Sequence, residues 1–184
     1  MTPTDNELMF QVRDGDVGKL GILFERHHSK LFNFLTRMCG RREVGEDLVQ
    51  EVFLRILKYR QSFRGEAAFT TWMYQMGRNV AVDHFRKWKD NPGHDEAPYE
   101  HTDGDRTPSE MLEHIETHDL LSLALSRLPA EKREVIVLSR FVGMKYDEIG
   151  RVLDHPVGTV KARMHHAMKE LRDIYLSLSE EAVL

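Results

Sequence analysis

Residues 146–171 read YDEIGRVLDHPVGTVKARMHHAMKEL, and their pattern predicts two helices joined by a tight turn. Residues 146–153 fit a short helix, residues 154–156 contain a proline and predict the turn, and residues 157–171 fit a longer basic helix. The apolar side chains that recur at helical spacing on the two helices are Ile149, Leu153, Val160, Met164 and Leu171. The stretch therefore predicts a helix-turn-helix whose second helix suits the major groove of duplex DNA.

The chain on the N-terminal side of this motif is also patterned for helices. The predicted helices cover residues 20–38, 47–57, 69–88, 111–125 and 129–141. Gly40 and Gly143 follow the last periodic residues of two of them, and Pro129 suits a first helical turn. No sustained alternation of apolar and polar residues predicts a strand, so the sequence indicates an all-α fold.

Residues 90–110 interrupt the helical pattern. They contain three prolines, two glycines and hardly an aliphatic side chain, so little apolar burial is available to offset the entropy of ordering them. We expect a flexible acidic linker here. The chain of 184 residues then divides into two small helical domains, residues 1–89 and residues 111–184, of which the second contains the helix-turn-helix.

The net charge of −4 conceals a strong segregation of charge along the chain. Residues 70–89 carry four basic side chains against one acidic, and residues 157–172 carry the same ratio. Residues 90–110 between them carry one basic side chain against seven acidic. Because binding to nucleic acid depends on local basic clusters, two separate stretches of this chain are candidates for contact with DNA.

The composition excludes several other classes of protein. Hydrophobic residues make up 41% of the chain, but no apolar run approaches the length of a membrane span or a signal peptide. The single cysteine, Cys39, cannot form an internal disulfide, which fits a reducing cytoplasm. His114 and His118 have the four-residue spacing of a helical ligand pair, but no third ligand lies near them in sequence, so we expect no metal and no cofactor.

Two further stretches carry side chains with recognisable chemistry. In the helix over residues 47–57, Asp47, Gln50 and Glu51 offer carboxylate and amide groups to a partner helix, although they also fit an ordinary solvated face. Trp72 and Tyr74 precede a basic helix, and aromatic rings beside positive charge suit unpaired bases. An isolated tryptophan on an apolar stripe more often belongs to the core.

Three blocks of residues, in this order, resemble the extracytoplasmic-function group of bacterial RNA polymerase sigma factors. The blocks are DLVQEVFL at 47–54, FTTWMY at 69–74 with RN at 78–79 and DHFRK at 83–87, and LP at 128–129 with YDEIG at 146–150 and PVGTVKAR at 156–163. The resemblance extends from about Leu20 to Arg172, excluding the linker. Three ordered blocks are far more specific than a helix-turn-helix alone.

The resemblance implies a function and a set of site residues. It implies a factor without enzymatic activity that binds core RNA polymerase, through the coiled coil of the largest subunit and the flap region, together with promoter DNA and an anti-sigma factor. The implied polymerase-binding residues are Asp47, Gln50, Glu51, Phe53 and Leu54. The implied melting and minus-ten residues are Phe63, Arg64, Trp72, Tyr74, Arg78, Asn79, Asp83, Arg86 and Lys87. The implied minus-thirty-five residues are Thr159, Lys161, Ala162, Arg163, His165 and His166.

The second domain departs from the family pattern at several positions. Ala162 replaces a usual serine, His166 and Met168 stand where arginine is common, and Gly150 stands where alanine is usual. Because histidine is mostly neutral at pH 7, these changes weaken the expected electrostatic attraction to DNA.

Two other functions were weighed against this one. A stand-alone helix-turn-helix regulator would account for the last third of the chain only, and it leaves the helix of Gln50 and the position of Trp72 unexplained. A small helical enzyme would have to rely on the acidic pair Asp47 and Glu51, which lacks a helper histidine or a phosphate loop.

Overall fold

The computed structural model describes residues 2–89 and 120–181, and all regular structure within them is helical. The first domain contains α1 (Asp5–Arg13), α2 (Lys19–Cys39), α3 (Arg42–Lys58), a one-turn 3-10 helix (Arg60–Ser62) and α4 (Phe69–Lys89). The second contains α5 (described over 120–127), α6 (Ala130–Ile136) continued by a π-turn (Val137–Phe141), α7 (Tyr146–Leu153) and α8 (Val157–Glu181).

The prediction of an all-α protein with two helical domains and a helix-turn-helix is confirmed. Helix α4 begins at the predicted residue, and α7 has both predicted ends, whereas α8 continues ten residues beyond its predicted end at 171. The predicted linker at 90–110, the start of the following helix at 111 and the pair His114 and His118 lie outside the described residues.

The core of the first domain forms where α2, α3 and α4 pack together, with α1 closing one side. Its fully buried side chains include Leu23, Leu31, Phe34, Leu35, Val52, Ile56, Phe69 and Met73. Each side chain of this size contributes roughly 1.5–3 kcal/mol by leaving water. Helices α2 and α3 approach so closely that a Cβ on Gly45 would lie 2.3 Å from Thr36 Oγ1.

Helix α1 was not predicted, although the sequence contains its signal. Thr4 and Glu7 form a capping box, in which Glu7 N donates to Thr4 Oγ1 (3.3 Å) and Thr4 N donates to Glu7 Oε2 (2.7 Å). The helix buries Leu8, Met9 and Val12 against the first domain. Residues 1–16 were considered for their acidic charge, and the spacing of these three apolar residues was not used to predict a helix.

In the second domain, α6 and α7 pack against α8 and complete the predicted helix-turn-helix. Ile149, Leu153, Val160, Met164 and Leu171 are all buried, as their spacing predicts. The turn depends on Asp154, whose backbone is left-handed (φ 54°), and on a hydrogen bond from His155 N to Gly150 O (2.9 Å).

The two domains are in contact, which the sequence pattern did not predict. Helix α4 packs against α7, while α2 packs against α6 and the π-turn. Arg78 of α4 pairs with Glu134 of α6, and Arg133 of α6 donates a hydrogen bond to the carbonyl of Met38 in α2. We call this contact region the domain seam.

The turn of the helix-turn-helix explains why glycine stands at position 150. A Cβ there would lie 2.7 Å from the backbone carbonyl oxygen of His155, which is too close for the turn to remain unchanged. We expect Gly150→Ala to lower the free energy of unfolding by about 1 kcal/mol, because the clash outweighs the better helix propensity of alanine. Urea denaturation measures the change.

Gly158→Ala in α8 is the matched control, because a Cβ at Gly158 meets no atom within 4 Å. It should leave stability unchanged or raise it slightly. Equal stability of the two variants would show that the turn tolerates a side chain at position 150.

Candidate functional site

The outer face of α3 carries three of the five residues predicted to bind polymerase. Asp47, Gln50 and Leu54 are exposed and lie at helical spacing on one face, with 62% of Leu54 accessible. We call them the α3 strip. Phe53 is buried, with its ring edge-on to Phe24 at 4.9 Å between centroids, so it is a core residue that cannot contact a partner directly.

Glu51, the fifth residue, belongs to a charged network that joins α3 to α4. Arg55 Nε donates to Glu51 Oε1 (2.8 Å), and Arg55 Nη1 donates to Asp83 Oδ2 (2.9 Å). Arg86 Nη2 donates to the other oxygen of Asp83 (3.2 Å). Asp83, predicted to contact promoter DNA, thus already accepts hydrogen bonds from two guanidinium groups, and it holds the two helices together.

Of the three aromatic residues predicted at the promoter surface, only Trp72 presents part of its ring. Its ring is partly buried and packs 5.3 Å from Phe63. Phe63 and Tyr74 are only 3% and 2% exposed, and burial raises the pKa of Tyr74 to about 12. No base can stack on either ring in this packing, so the stacking role predicted for Tyr74 and direct DNA contact by the Phe63 ring are not compatible with the structure.

The loop at residues 63–66, which contains Phe63 and Arg64 of the implied minus-ten residues, packs against α1. Gly65 has a left-handed backbone (φ 72°), and a Cβ there would lie 2.4 Å from Phe10 Cζ. Arg64 remains exposed. Phe10, which sequence analysis did not single out, therefore determines the position of this loop.

Asn6 of α1 was also missed, and it caps the start of α4. Phe69 N donates to Asn6 Oδ1 (2.7 Å), while Asn6 Nδ2 donates to Ala67 O (3.3 Å). The cap satisfies one of the amides left unpaired at the helix N-terminus, and it fixes the turn that carries Trp72. No local pattern reveals a cap supplied from more than sixty positions away.

The basic face of α4 is only partly available. Asn79, Arg86 and Lys87 are exposed, but Arg78 Nε donates to Glu134 Oε1 across the domain seam (3.1 Å). Glu134 is 3% exposed, and burial raises the pKa of its carboxyl against the opposing attraction of Arg78. A predicted promoter-binding cation is thus paired with a buried carboxylate.

The outer face of α8 presents most of the residues predicted to read the minus-thirty-five element. The exposed ones are Thr159, Lys161, Ala162, His165 and His166. Arg163 is the exception, since its side chain is 19% exposed and its Nη2 lies 3.3 Å from Glu131 Oε2 of α6. Among the predicted residues, α8 therefore offers one exposed lysine, a hydroxyl and two imidazoles along a face suited to a major groove, and Lys169 and Arg172 are exposed farther along the helix.

Comparison with known proteins identifies the chain. Residues 23–90 match the family described as Sigma-70 region 2, and residues 118–171 match Sigma-70, region 4. The ECF RNA polymerase sigma factor SigW of Bacillus subtilis is 30% identical over 172 residues, spanning 88% of this chain and 91% of the relative. The chain belongs to the ECF family of RNA polymerase sigma factors.

Other relatives agree with this membership. The ECF RNA polymerase sigma-E factor of Haemophilus influenzae is 29% identical over 180 residues, which cover 92% of this chain and 94% of the relative. This sigma factor has no enzymatic activity of its own; it binds RNA polymerase and promoter DNA and directs transcription initiation.

Two solved structures share the fold of this sigma factor. CnrH in complex with the cytosolic domain of CnrY superposes with a TM-score of 0.72 at 24% identity, covering 94% of this chain and 97% of that one. The sigma factor RpoE of Bartonella quintana in complex with the anti-sigma factor NepR gives a TM-score of 0.69 at 21% identity, covering 84% and 94%.

Within residues 2–89 and 120–181, no helix is long and apolar enough to cross a membrane. No group of three or more histidine, cysteine, aspartate or glutamate side chains within them could hold a metal ion.

The cap on α4 provides a test of how the promoter-facing helix is positioned. Asn6→Ala removes both hydrogen bonds, and we expect a loss of roughly 1 kcal/mol in the free energy of unfolding. Amide hydrogen exchange at Phe69 and the next residues should accelerate. Asn6→Asp keeps the acceptor for Phe69 N and should retain most of the protection; equal exchange in both variants would contradict the capping role.

Proposed function

We propose that this sigma factor divides its work among three surfaces. Residues 1–89 act as region 2, with the α3 strip binding polymerase and α4 melting and reading the minus-ten element. Residues 111–184 act as region 4, with α8 reading the minus-thirty-five element, and residues 90–110 connect the two. The single observation that carries the proposal is that one chain exposes both the α3 strip and the basic outer face of α8.

The chemistry of the α3 strip supports a protein partner. Leu54 is a large apolar side chain in water, flanked by the amide of Gln50 and the carboxylate of Asp47. An apolar centre with a polar rim is the usual anatomy of a protein interface. We infer that the partner is the coiled coil of the largest polymerase subunit, and that the flap region of polymerase receives the second domain.

The promoter surface of α4 combines stacking with charge. Trp72 offers the accessible part of its ring to an unpaired base, while Arg86 and Lys87 attract the phosphates of the same strand. Asn79 supplies a neutral donor and acceptor between them. Because Phe63 and Tyr74 are buried, this surface is smaller than the sequence predicted, and Trp72 is its main aromatic contact.

The minus-thirty-five surface combines exposed cations with hydrogen-bonding groups. Lys161 and Lys169 are exposed on the outer face of α8, and His165 and His166 add imidazoles that can contact bases. Arg163 must leave or share its contact with Glu131 to reach DNA. We infer weaker electrostatic binding and a larger share of direct base contacts.

We also infer an anti-sigma partner and a cytoplasmic location. Of the two solved structures described above, one is CnrH bound to the cytosolic domain of CnrY, and the other is the sigma factor RpoE bound to the anti-sigma factor NepR. Their shared fold supports a similar inhibitor for this chain. A factor that must meet RNA polymerase works in the cytoplasm.

The separation of the surfaces can be tested by variants that fail in different ways. Gln50→Ala with Leu54→Ala should weaken binding to core polymerase about tenfold or more, because it removes the apolar centre and one polar contact of the strip. Lys161→Ala should leave polymerase binding unchanged and lower the salt dependence of promoter binding by a slope of about one. Association with core polymerase and salt-dependent promoter binding are the measurements.

Two controls match these variants. Ile22→Ala removes an exposed apolar side chain from α2, and Lys30→Ala removes a positive charge from the same helix; both should behave as wild type. Run-off transcription with core polymerase then checks the whole assembly. A full-length chain without affinity for core polymerase would overturn the proposal in favour of a stand-alone regulator.

Trp72→Ala tests the melting role. The variant loses a stacking surface and part of the contact with Phe63, so thermal stability is measured beside transcription. On a promoter with a mismatched, already open minus-ten region, we expect much of the lost activity to return. A defect of the same size on opened DNA would show that Trp72 acts only through folding.

A further inference from the structure

Glu134 stands out at the domain seam because it is a buried carboxylate facing a promoter-binding residue. It lies on α6 of the second domain, 3% exposed, and Arg78 Nε of α4 donates to its Oε1 over 3.1 Å. A buried charge is stable only when it is paired, and here the pairing partner comes from the other domain. The ion pair therefore exists only while the two domains are closed.

Two further contacts accompany this pair across the seam. Arg133 Nη1 donates to the carbonyl oxygen of Met38, near the C-terminus of α2 (2.6 Å). The guanidinium of Arg37 lies 4.3 Å from the ring centroid of Phe141, which is a cation–π distance. Each contact joins the first domain to α6 or its π-turn, so all three break together if the domains separate.

The pair also occupies one donor of Arg78, a residue that the family resemblance implies for promoter binding. The Nε–H of Arg78 points to Glu134, and it cannot donate to a phosphate or a base at the same time. We propose that Glu134 is an internal competitor of promoter DNA: in the free sigma factor it holds Arg78 and keeps the domains closed, and opening releases Arg78 for the minus-ten strand. The DNA half of this proposal rests on the proposed function of α4 and on the promoter role that the family resemblance implies for Arg78.

The contact is suited to a reversible switch because the Glu134 carboxylate is only partly satisfied by hydrogen bonds. Glu134 Oε2 is buried and finds no hydrogen-bond partner within residues 2–89 and 120–181. Burial raises the pKa of the carboxyl despite the opposing attraction of Arg78 and Arg163. The closed state thus keeps a charge that is not fully compensated, and a partner that offers Arg78 a better anion can open it.

Cys39 provides a built-in reporter of this opening. It is the single cysteine of the chain, it adjoins Met38 at the end of α2, and Arg133 acts electrostatically on its thiol from across the seam. Cys39 is partly buried, and burial raises the pKa of the thiol to about 12, which slows its modification in the closed state. Separation of the domains hydrates Cys39 and speeds its modification.

The experiment measures the rate at which an aromatic disulfide reagent modifies Cys39 in the full-length protein at fixed pH without DNA. Arg78→Gln should raise the rate roughly tenfold, because it leaves the buried Glu134 carboxylate unpaired in the closed state. Adding Glu134→Gln to that variant should return the rate close to wild type, because two neutral amides can meet at the seam. Small-angle scattering should show a matching rise and fall in radius of gyration.

Glu131→Gln is the matched control, since it removes the same charge from the same helix. Glu131 pairs with Arg163 inside the second domain and makes no ion pair across the seam. Its rate should equal that of wild type. Three results would each overturn the proposal: a wild-type Cys39 rate in Arg78→Gln, an equal rise of the rate in Glu131→Gln, or a double variant of Arg78→Gln with Glu134→Gln that reacts faster than Arg78→Gln alone.

Folding is followed by circular dichroism in every variant. If Arg78→Gln loses helical signal, the Cys39 rate of Phe141→Ala replaces it as the test. This variant removes a seam contact without leaving a buried charge unpaired. We expect about a twofold rise in its Cys39 rate, from the modest energy of one cation–π contact. An unchanged rate would overturn the proposal.

A final arm adds excess single-stranded DNA to the wild-type protein. DNA that competes with Glu134 for Arg78 should accelerate modification of Cys39, and high salt should suppress the effect. If Glu134→Gln reverses the effect of Arg78→Gln on the Cys39 rate but DNA does not accelerate modification, the promoter role of Arg78 is wrong and the contact at the seam stands. The two proposals therefore fail separately.

Discussion

The guanidinium of Arg133 is the interaction on which the second domain and its contact with the first depend. It donates hydrogen bonds to the carbonyl oxygens of Leu125, Ser126 and Leu128, which close the corner between α5 and α6, and to that of Met38. Carbonyls at the end of a helix have no partner within the helix. One planar side chain with five donors satisfies four of them at once.

The position of Arg133 also determines what surrounds it. Glu134, the next residue, points to Arg78, and Glu131, two residues earlier, points to Arg163. Helix α6 therefore presents carboxylates to one arginine from each of the two proposed DNA surfaces. The acidic residues of this short helix lower the positive electrostatic potential at the two proposed DNA surfaces.

The sequence predicted the helices and the helix-turn-helix because both depend on local spacing. Ile149, Val160 and Met164 are buried as a period of 3.6 residues requires. The family resemblance placed Phe63 and Tyr74 at the promoter surface, and both are buried instead, because neither a motif nor a helical period separates a core aromatic from an exposed one. Hydrophobic spacing shows that a residue faces inward on its helix, but not what covers it.

Contacts between distant residues were beyond a reading of local pattern. Asn6 caps a helix that starts 63 positions later, and Arg78 meets Glu134 across 56 positions. Such pairs depend on how the helices pack in the tertiary structure, and the residues that form them have no distinctive neighbours in the sequence. The α3 strip was predicted better, because exposure of Gln50 and Leu54 follows from the face that Val52 and Ile56 bury.

The network of Arg55 constrains how this protein can change over generations. Glu51 and Asp83 share that one guanidinium, so loss of either carboxylate alters what remains for the other. A substitution at Glu51 in α3 therefore alters a contact of α4, the helix that carries Trp72, and a substitution at Asp83 alters a contact of α3. Changes at these two positions are coupled through Arg55, so a substitution at one favours a compensating substitution at the other.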